Sequence, residues 1–252
     1  MSTAATERRP LAAPTLFFLV VVAGACWAVT VDRMEGMNMG PATDLGGLGW
    51  FAAVWVTMMA AMMLPSLSPM AVASSRAAGG QLRTIARSAA FAAGYLLPWV
   101  AFGVLAYALV EGVRSLELDF LSWNRLGQYL AAAVVLGAAL YELTAAKRAC
   151  LRHCRDSQLL RRRAGLVGAL VMGIEQGGFC VGCSGALMAA LFAVGVMSIA
   201  WMIVIATVVA IEKLLPWTVI TIGSTAAALA LLGTAIIVVP AHVPWLTIPV
   251  SM

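Results

Sequence analysis

The sequence predicts an all-α protein: a polytopic transmembrane helix bundle of six to seven spans with its N-terminus in the cytoplasm. Three observations carry that expectation. Of the 252 residues, 62% are hydrophobic and only 11% charged, whereas a soluble domain carries about 25% charged residues. Apolar runs recur from Leu16 towards the C-terminus, and the longest reach the roughly 18 residues that crossing a bilayer requires. The basic residues, finally, fall in alternate connecting segments.

Seven candidate spans follow in chain order. Thr15 to Val31 comes after Arg8 and Arg9 but lacks a convincing small-residue cleavage site, so it is read as a retained first helix and not a signal peptide. Leu48 to Leu67 carries Pro65 near its end, and Ile85 to Val110 carries Pro98; each proline removes a backbone donor and predicts a kink. Arg125 to Ala145 is the fourth span and Gly165 to Val194 the fifth. Ser198 to Ile211 is short and joins Leu214 to Val239 through Glu212, Lys213 and Pro216, so six spans plus a re-entrant segment is the alternative. The expected organisation is a cytoplasmic tail over residues 1–14, one transmembrane domain over 15–239, and a C-terminal tail over 240–252 on the periplasmic or extracellular side.

Orientation rests on charge. Of 16 Lys and Arg residues, only Arg33, Arg114 and Arg125 fall outside when the N-terminus is inside, as the positive-inside rule expects. Asp32, Glu35, Asp44, Glu111, Glu117 and Asp119 lean to the other face. The sequence pI of about 9.2 thus reflects topology and not a nucleic-acid surface. Trp50, Trp123 and Trp245 lie near span ends, where they anchor the interface. The lipid bilayer is the first expected partner.

Four groups of residues could carry chemistry. In the fifth span, Met172, Gln176, Cys180 and Cys183 share a helical stripe at i, i+4, i+8 and i+11. A thioether and two thiols suit Cu(I), with Zn(II) the alternative. Glu175 borders the stripe, and an acidic group at a helix centre costs about 2.5–3.5 kcal/mol on insertion scales, so a partner or polar cavity is expected for it. Cysteine also packs as a small hydrophobe, and Gly173, Gly177, Gly178 and Gly182 provide small-residue spacings whose ordinary role is helix packing.

The second group is Met58, Met59, Met62 and Met63 in "WVTMMAAMMLP", two i, i+4 pairs that serve equally well as flexible core filler. Counting about 1.5 Å per residue, Met58 lies about 13 Å from the outer end of its span and Cys180 about 22 Å from the inner end of its own. In a core about 30 Å thick these clusters come to similar depths. The third group, Met34, Met37 and Met39 in "DRMEGMNMG", would collect a soft monovalent ion in the first outward loop or dip into lipid. The fourth, Cys150 and Cys154 in the basic loop "KRACLRHCR", combines two thiols with cationic neighbours that favour thiolate; contact with anionic lipid accounts for the arginines alone.

The stretches "WVTMMAAMMLP", "GYLLPW", "YELTAAKRACLRHCR", "GGFCVGC", "ALMAALFAVGVMSIAWM" and "EKLLP" together resemble the bacterial family of predicted metal-binding integral membrane proteins, a domain of unknown function. The resemblance runs from Trp50 to Trp217. It implies metal binding, and the positions it supports include Met58, Met59, Met62, Met63, Lys147, Cys150, Cys154, Cys180, Cys183, Met188, Met197, Trp201, Met202, Glu212 and Lys213. Ser184 and Gly185 depart from it, standing where a further Cys and a Trp are expected.

The function these readings and the resemblance favour is handling of Cu(I) in the bacterial inner membrane, whether uptake, delivery or storage, with a metallochaperone or another membrane protein as partner. Outer methionines would collect the ion, the second and fifth spans would hold it, and Cys150 and Cys154 would receive it; Glu175, Gln176, Glu212 and Lys213 would be polar support. The alternatives are a thiol–disulfide oxidoreductase using Cys180 and Cys183 and a non-catalytic scaffold with glycine-rich faces. No catalytic residue is assigned. The lack of a Walker P-loop argues against ATP-driven pumping by this chain alone.

Overall fold

The computed structural model describes residues 12–34, 46–75, 81–115, 126–156, 163–195, 199–215 and 218–238. Those residues form eight α-helices and no strand. They are α1 (Ala12–Met34), α2 (Leu48–Ser75), α3 (Gln81–Ser115), α4 (Leu126–Glu142), α5 (Ala145–Arg155), α6 (Gly165–Gly195), α7 (Ile199–Leu214) and α8 (Thr218–Val238). The all-α expectation holds for them. Five helices, α1, α2, α3, α6 and α8, are long and apolar enough to cross a membrane, and a sixth crossing arises if α4 and α5 count as one broken span bent by 67°. At 16 residues, α7 falls short of the roughly 20 that a full crossing takes.

The segment expected as a basic loop is in fact helix α5. Thr144 caps it, its side chain accepting a hydrogen bond from the Lys147 backbone amide at 3.2 Å, and the cap supplies one of the orphan amides of the first turn with a partner. Lys147, Leu151 and Cys154 are buried. Their i, i+4, i+7 spacing is one helical face. The opposite side carries Arg148 and Arg152, both exposed.

At the centre of the fold α3 packs on α6, and glycine makes this possible. A Cβ on Gly94 would fall within 3.0 Å of the Leu170 carbonyl oxygen, one on Gly173 within 3.0 Å of the Phe91 oxygen, and one on Gly177 within 3.0 Å of the Tyr95 oxygen. The two backbones therefore touch directly, as small-residue seams allow. On the other side of α3, Trp55 of α2 donates from Nε1 to the Trp99 carbonyl at 2.7 Å.

Inside α2, Pro65 and Pro69 interrupt the backbone ladder. Ser68 Oγ donates to the Pro65 carbonyl at 2.9 Å, satisfying an acceptor that the missing amide of Pro69 would leave open. Arg87 of α3 is buried and ties three chain segments at one end of the bundle, bonding the carbonyls of Ser74, Gly165 and Arg163 at 3.0, 2.6 and 3.1 Å.

Candidate metal centre

Residues Cys180 and Cys183 lie one turn apart on α6, both buried, and α3, α5 and α7 bring their partners. From α3, Tyr95 Oη donates to Cys180 Sγ at 2.8 Å. From α7, Lys213 Nζ lies 2.9 Å from the same sulfur, 3.4 Å from Tyr95 Oη, 3.4 Å from Ser66 Oγ and 3.9 Å from Met63 Sδ. From α5, Cys154 Sγ stands 3.4 Å from Cys183 Sγ. Thiols of two helices and a methionine of a third thus meet in one polar cluster around the Lys213 ammonium.

The position of α5 is set by several independent contacts. Lys147 Nζ lies 2.6 Å from the Glu142 carboxylate and 2.8 Å from that of Glu212, all three buried. Arg155 donates to the Glu212 carbonyl at 2.6 Å through Nε and also bonds the Leu215 carbonyl, closing the C-terminal end of α7 onto α5. Gln176 Nε2 donates to the Cys154 carbonyl at 3.4 Å. His153 stacks on Phe179 with ring centroids 4.3 Å apart. Above Gly182 there is space only for Cys150: a Cβ there would lie 2.7 Å from Cys150 Sγ.

The remaining expected site residues have distinct placements. Met58, Met59, Met62 and Met63 are all buried in the core, and Met63 Sδ lies 3.9 Å from Lys213 Nζ beside the cysteines. Met172 is buried too, but its sulfur accepts from the Arg163 amide at 3.3 Å; it lies about 12 Å along the helix from Cys180 by the 1.5 Å rise. Glu175 pairs with Arg163 at 2.6 Å, and the two side chains are 35% and 41% exposed. Its partner is therefore near the helix end. Met34 closes α1, and Met37, Met39 and Met197 lie outside the described residues. Ser184, in place of the cysteine the resemblance implies, is buried with Oγ 3.4 Å from Cys183 Sγ. Met188 and Met202 are buried.

Sequence reasoning named Tyr95 only as part of "GYLLPW" and did not single out Ser66, Tyr141 or Glu142. Tyr141 Oη donates to the Gly182 carbonyl at 2.5 Å, beside the cysteine pair. All five cysteines are free thiols, with Cys26 half-buried on α1. Among the described residues no cluster of three or more His, Cys, Asp and Glu side chains has metal-ready spacing. The donor set is instead mixed: thiols, a thioether and a phenol, of which the sulfurs match a soft monovalent ion.

A family model described as PpoB2, copper chaperone, matches residues 52–236. The chain belongs to this family. No curated protein and no solved structure matches it. For this PpoB2 family member, the match covers all of α2 to α7 except the first residues of α2, so every residue of the pocket falls within it. The family's description names copper, a metal that in its monovalent state suits sulfur donors.

The exposed ion pair yields a prediction. Replacing Glu175 by Gln removes a surface salt bridge worth less than about 1 kcal/mol. Thermal unfolding is expected to shift little and copper content not at all; loss of bound copper would return Glu175 to the site.

Proposed function

We propose that the chain is an integral inner-membrane copper chaperone, which binds Cu(I) between α6, α5 and α2 and delivers it through the cysteines of α5. The observation that carries this reading is the 3.4 Å approach of Cys154 on α5 to Cys183 on α6, beside Cys180 and Met63. Thiolate and thioether ligands select soft Cu(I) over harder ions. Cys150, one turn before Cys154 and half-buried, is the next thiol outward. Ligand exchange along Cys183, Cys154 and Cys150 moves the ion without leaving it bare.

The membrane reading accords with helix lengths. Measured from Gly195 at about 1.5 Å per residue, Cys183 and Cys180 lie about 18 and 22 Å deep in a core about 30 Å thick. With the N-terminus inside, these lengths support a pocket in the inner third, with the charged back of α5 at the cytoplasmic interface, where basic residues are favoured. Delivery is then to a cytoplasmic-side acceptor, a metallochaperone or another membrane protein.

Detergent-purified protein is expected to hold about one Cu(I) per chain, matching a single soft-ligand pocket. Cys180→Ala combined with Cys183→Ala is expected to abolish most of it. Unchanged stoichiometry in that double variant defeats the intramembrane site. The same 3.4 Å contact gives a redox reading its best pair, Cys154 with Cys183 in place of Cys180 with Cys183. A mixed disulfide trapped in Cys183→Ser favours that reading, whereas metal-dependent protection of the thiols from alkylation favours copper. For the scaffold reading, Gly173 and Gly177 are taken up by the contact with α3, which leaves Gly178 with open space beside it.

A further inference from the structure

The ammonium of Lys213 occupies an unusual place. Its nitrogen lies within 3.9 Å of Cys180 Sγ, Tyr95 Oη, Ser66 Oγ and Met63 Sδ, on α6, α3 and α2. None of them is a carboxylate. The neighbouring Glu212 points elsewhere, to Lys147, because consecutive helical residues diverge by about 100°. A single positive charge thus lies beside a cysteine sulfur and a methionine sulfur, donors of the kind a soft monovalent ion takes.

We propose that Lys213 is a tethered stand-in for the cargo: its ammonium fills the cation position between Cys180 and Met63 while the pocket is empty and withdraws when Cu(I) arrives. This rests on the copper reading above. The physical reason is charge constancy. A pocket built to hold a cation is costly to leave empty in low dielectric, since its electron-rich groups then lack a partner, and exchanging one positive charge for another avoids that cost in both states. The side chain has somewhere to go. Lys213 is the penultimate residue of α7, next to exposed Leu214 and Leu215, and a lysine stem can carry its head outward along apolar surface. The helix itself is pinned by Arg155 at the Glu212 and Leu215 carbonyls, so the side chain moves while the backbone stays.

The chain provides its own control, for Lys147 and Lys213 are its two lysines. Full-length protein in detergent, empty or loaded with Ag(I), a soft monovalent ion that resists oxidation, is treated with an amine-acylating reagent. Modification is read by mass spectrometry, and bound silver is measured in the same samples. Acylation of Lys213 is expected to rise several-fold on loading, while Lys147, fully buried between two carboxylates, stays unmodified. Stoichiometric silver with Lys213 still shielded overturns the stand-in alone and leaves the copper reading intact. A parallel rise at Lys147 shows general loosening and overturns it too. Failure to bind silver overturns both.

Discussion

Lys147→Met is expected to cost the protein about 3–5 kcal/mol, the usual penalty for breaking a buried ion pair from one side. Lys147 is the shared partner of two buried carboxylates, Glu142 at the end of α4 and Glu212 near the end of α7. Removing it leaves like charges facing each other with no ammonium between them. Because α5 carries Lys147, the helix should detach locally, and Cys154, now buried, should become open to alkylation. The decisive comparison is a triple variant, Lys147→Met with Glu142→Gln and Glu212→Gln. Removing the orphaned charges is expected to recover most of the lost stability, measured by thermal unfolding in detergent. If Lys147→Met alone unfolds like the parent protein, the ion cluster does not hold α5.

The second large effect is expected at the glycine seam. Gly94→Ala and Gly173→Ala each place a methyl group against the carbonyl oxygen of the facing helix. Backbone cannot step aside as a side-chain tip can. Overpacking costs about 1–3 kcal/mol per position, so the double variant should lose about 2–6 kcal/mol and separate α3 from α6. Tyr95 would then leave Cys180, and copper retention should fall with stability. Gly178 is the matched control. A Cβ there meets nothing within 4 Å, so Gly178→Ala should be neutral or slightly stabilising, as alanine favours helix by up to about 1 kcal/mol over glycine. Equal losses at Gly178 and Gly173 would sink the account of the seam.

What the sequence disclosed divides by the range of the interaction. The helices α1, α2, α3, α6 and α8 were legible because each is a long apolar run, and helical spacing alone put Cys180 and Cys183 on one stripe. Helix α5 was missed as an element. Its charges sit between two spans and suggest a loop, yet Thr144 as cap and the Lys147, Leu151, Cys154 spacing were readable signals. Glu175 was read as costly in lipid. The 31 residues of α6 extend about 46 Å, well beyond a core of about 30 Å, which gives Glu175 a place by Arg163 near the exposed end. Tyr95 could not be found from its own neighbourhood, because its role depends on contact with a residue 85 positions away. The opposed directions of Glu212 and Lys213 follow from helical geometry, but their targets do not.

One feature of the chain's path governs the chemistry of everything around it. Had α4 continued straight through Leu143 and Thr144, the next eleven residues would have run about 16 Å onward, carrying Cys150 and Cys154 past the sulfur pair on α6. The 67° corner folds them back onto it instead. Phase is fixed at that corner as well as direction: a single residue deleted there would turn α5 by about 100°, bringing Arg148, Arg152 and Arg155 to the face where Lys147, Leu151 and Cys154 now stand. Which side chains of α5 meet the sulfur pair of α6 is thus decided by a two-residue elbow at Leu143 and Thr144.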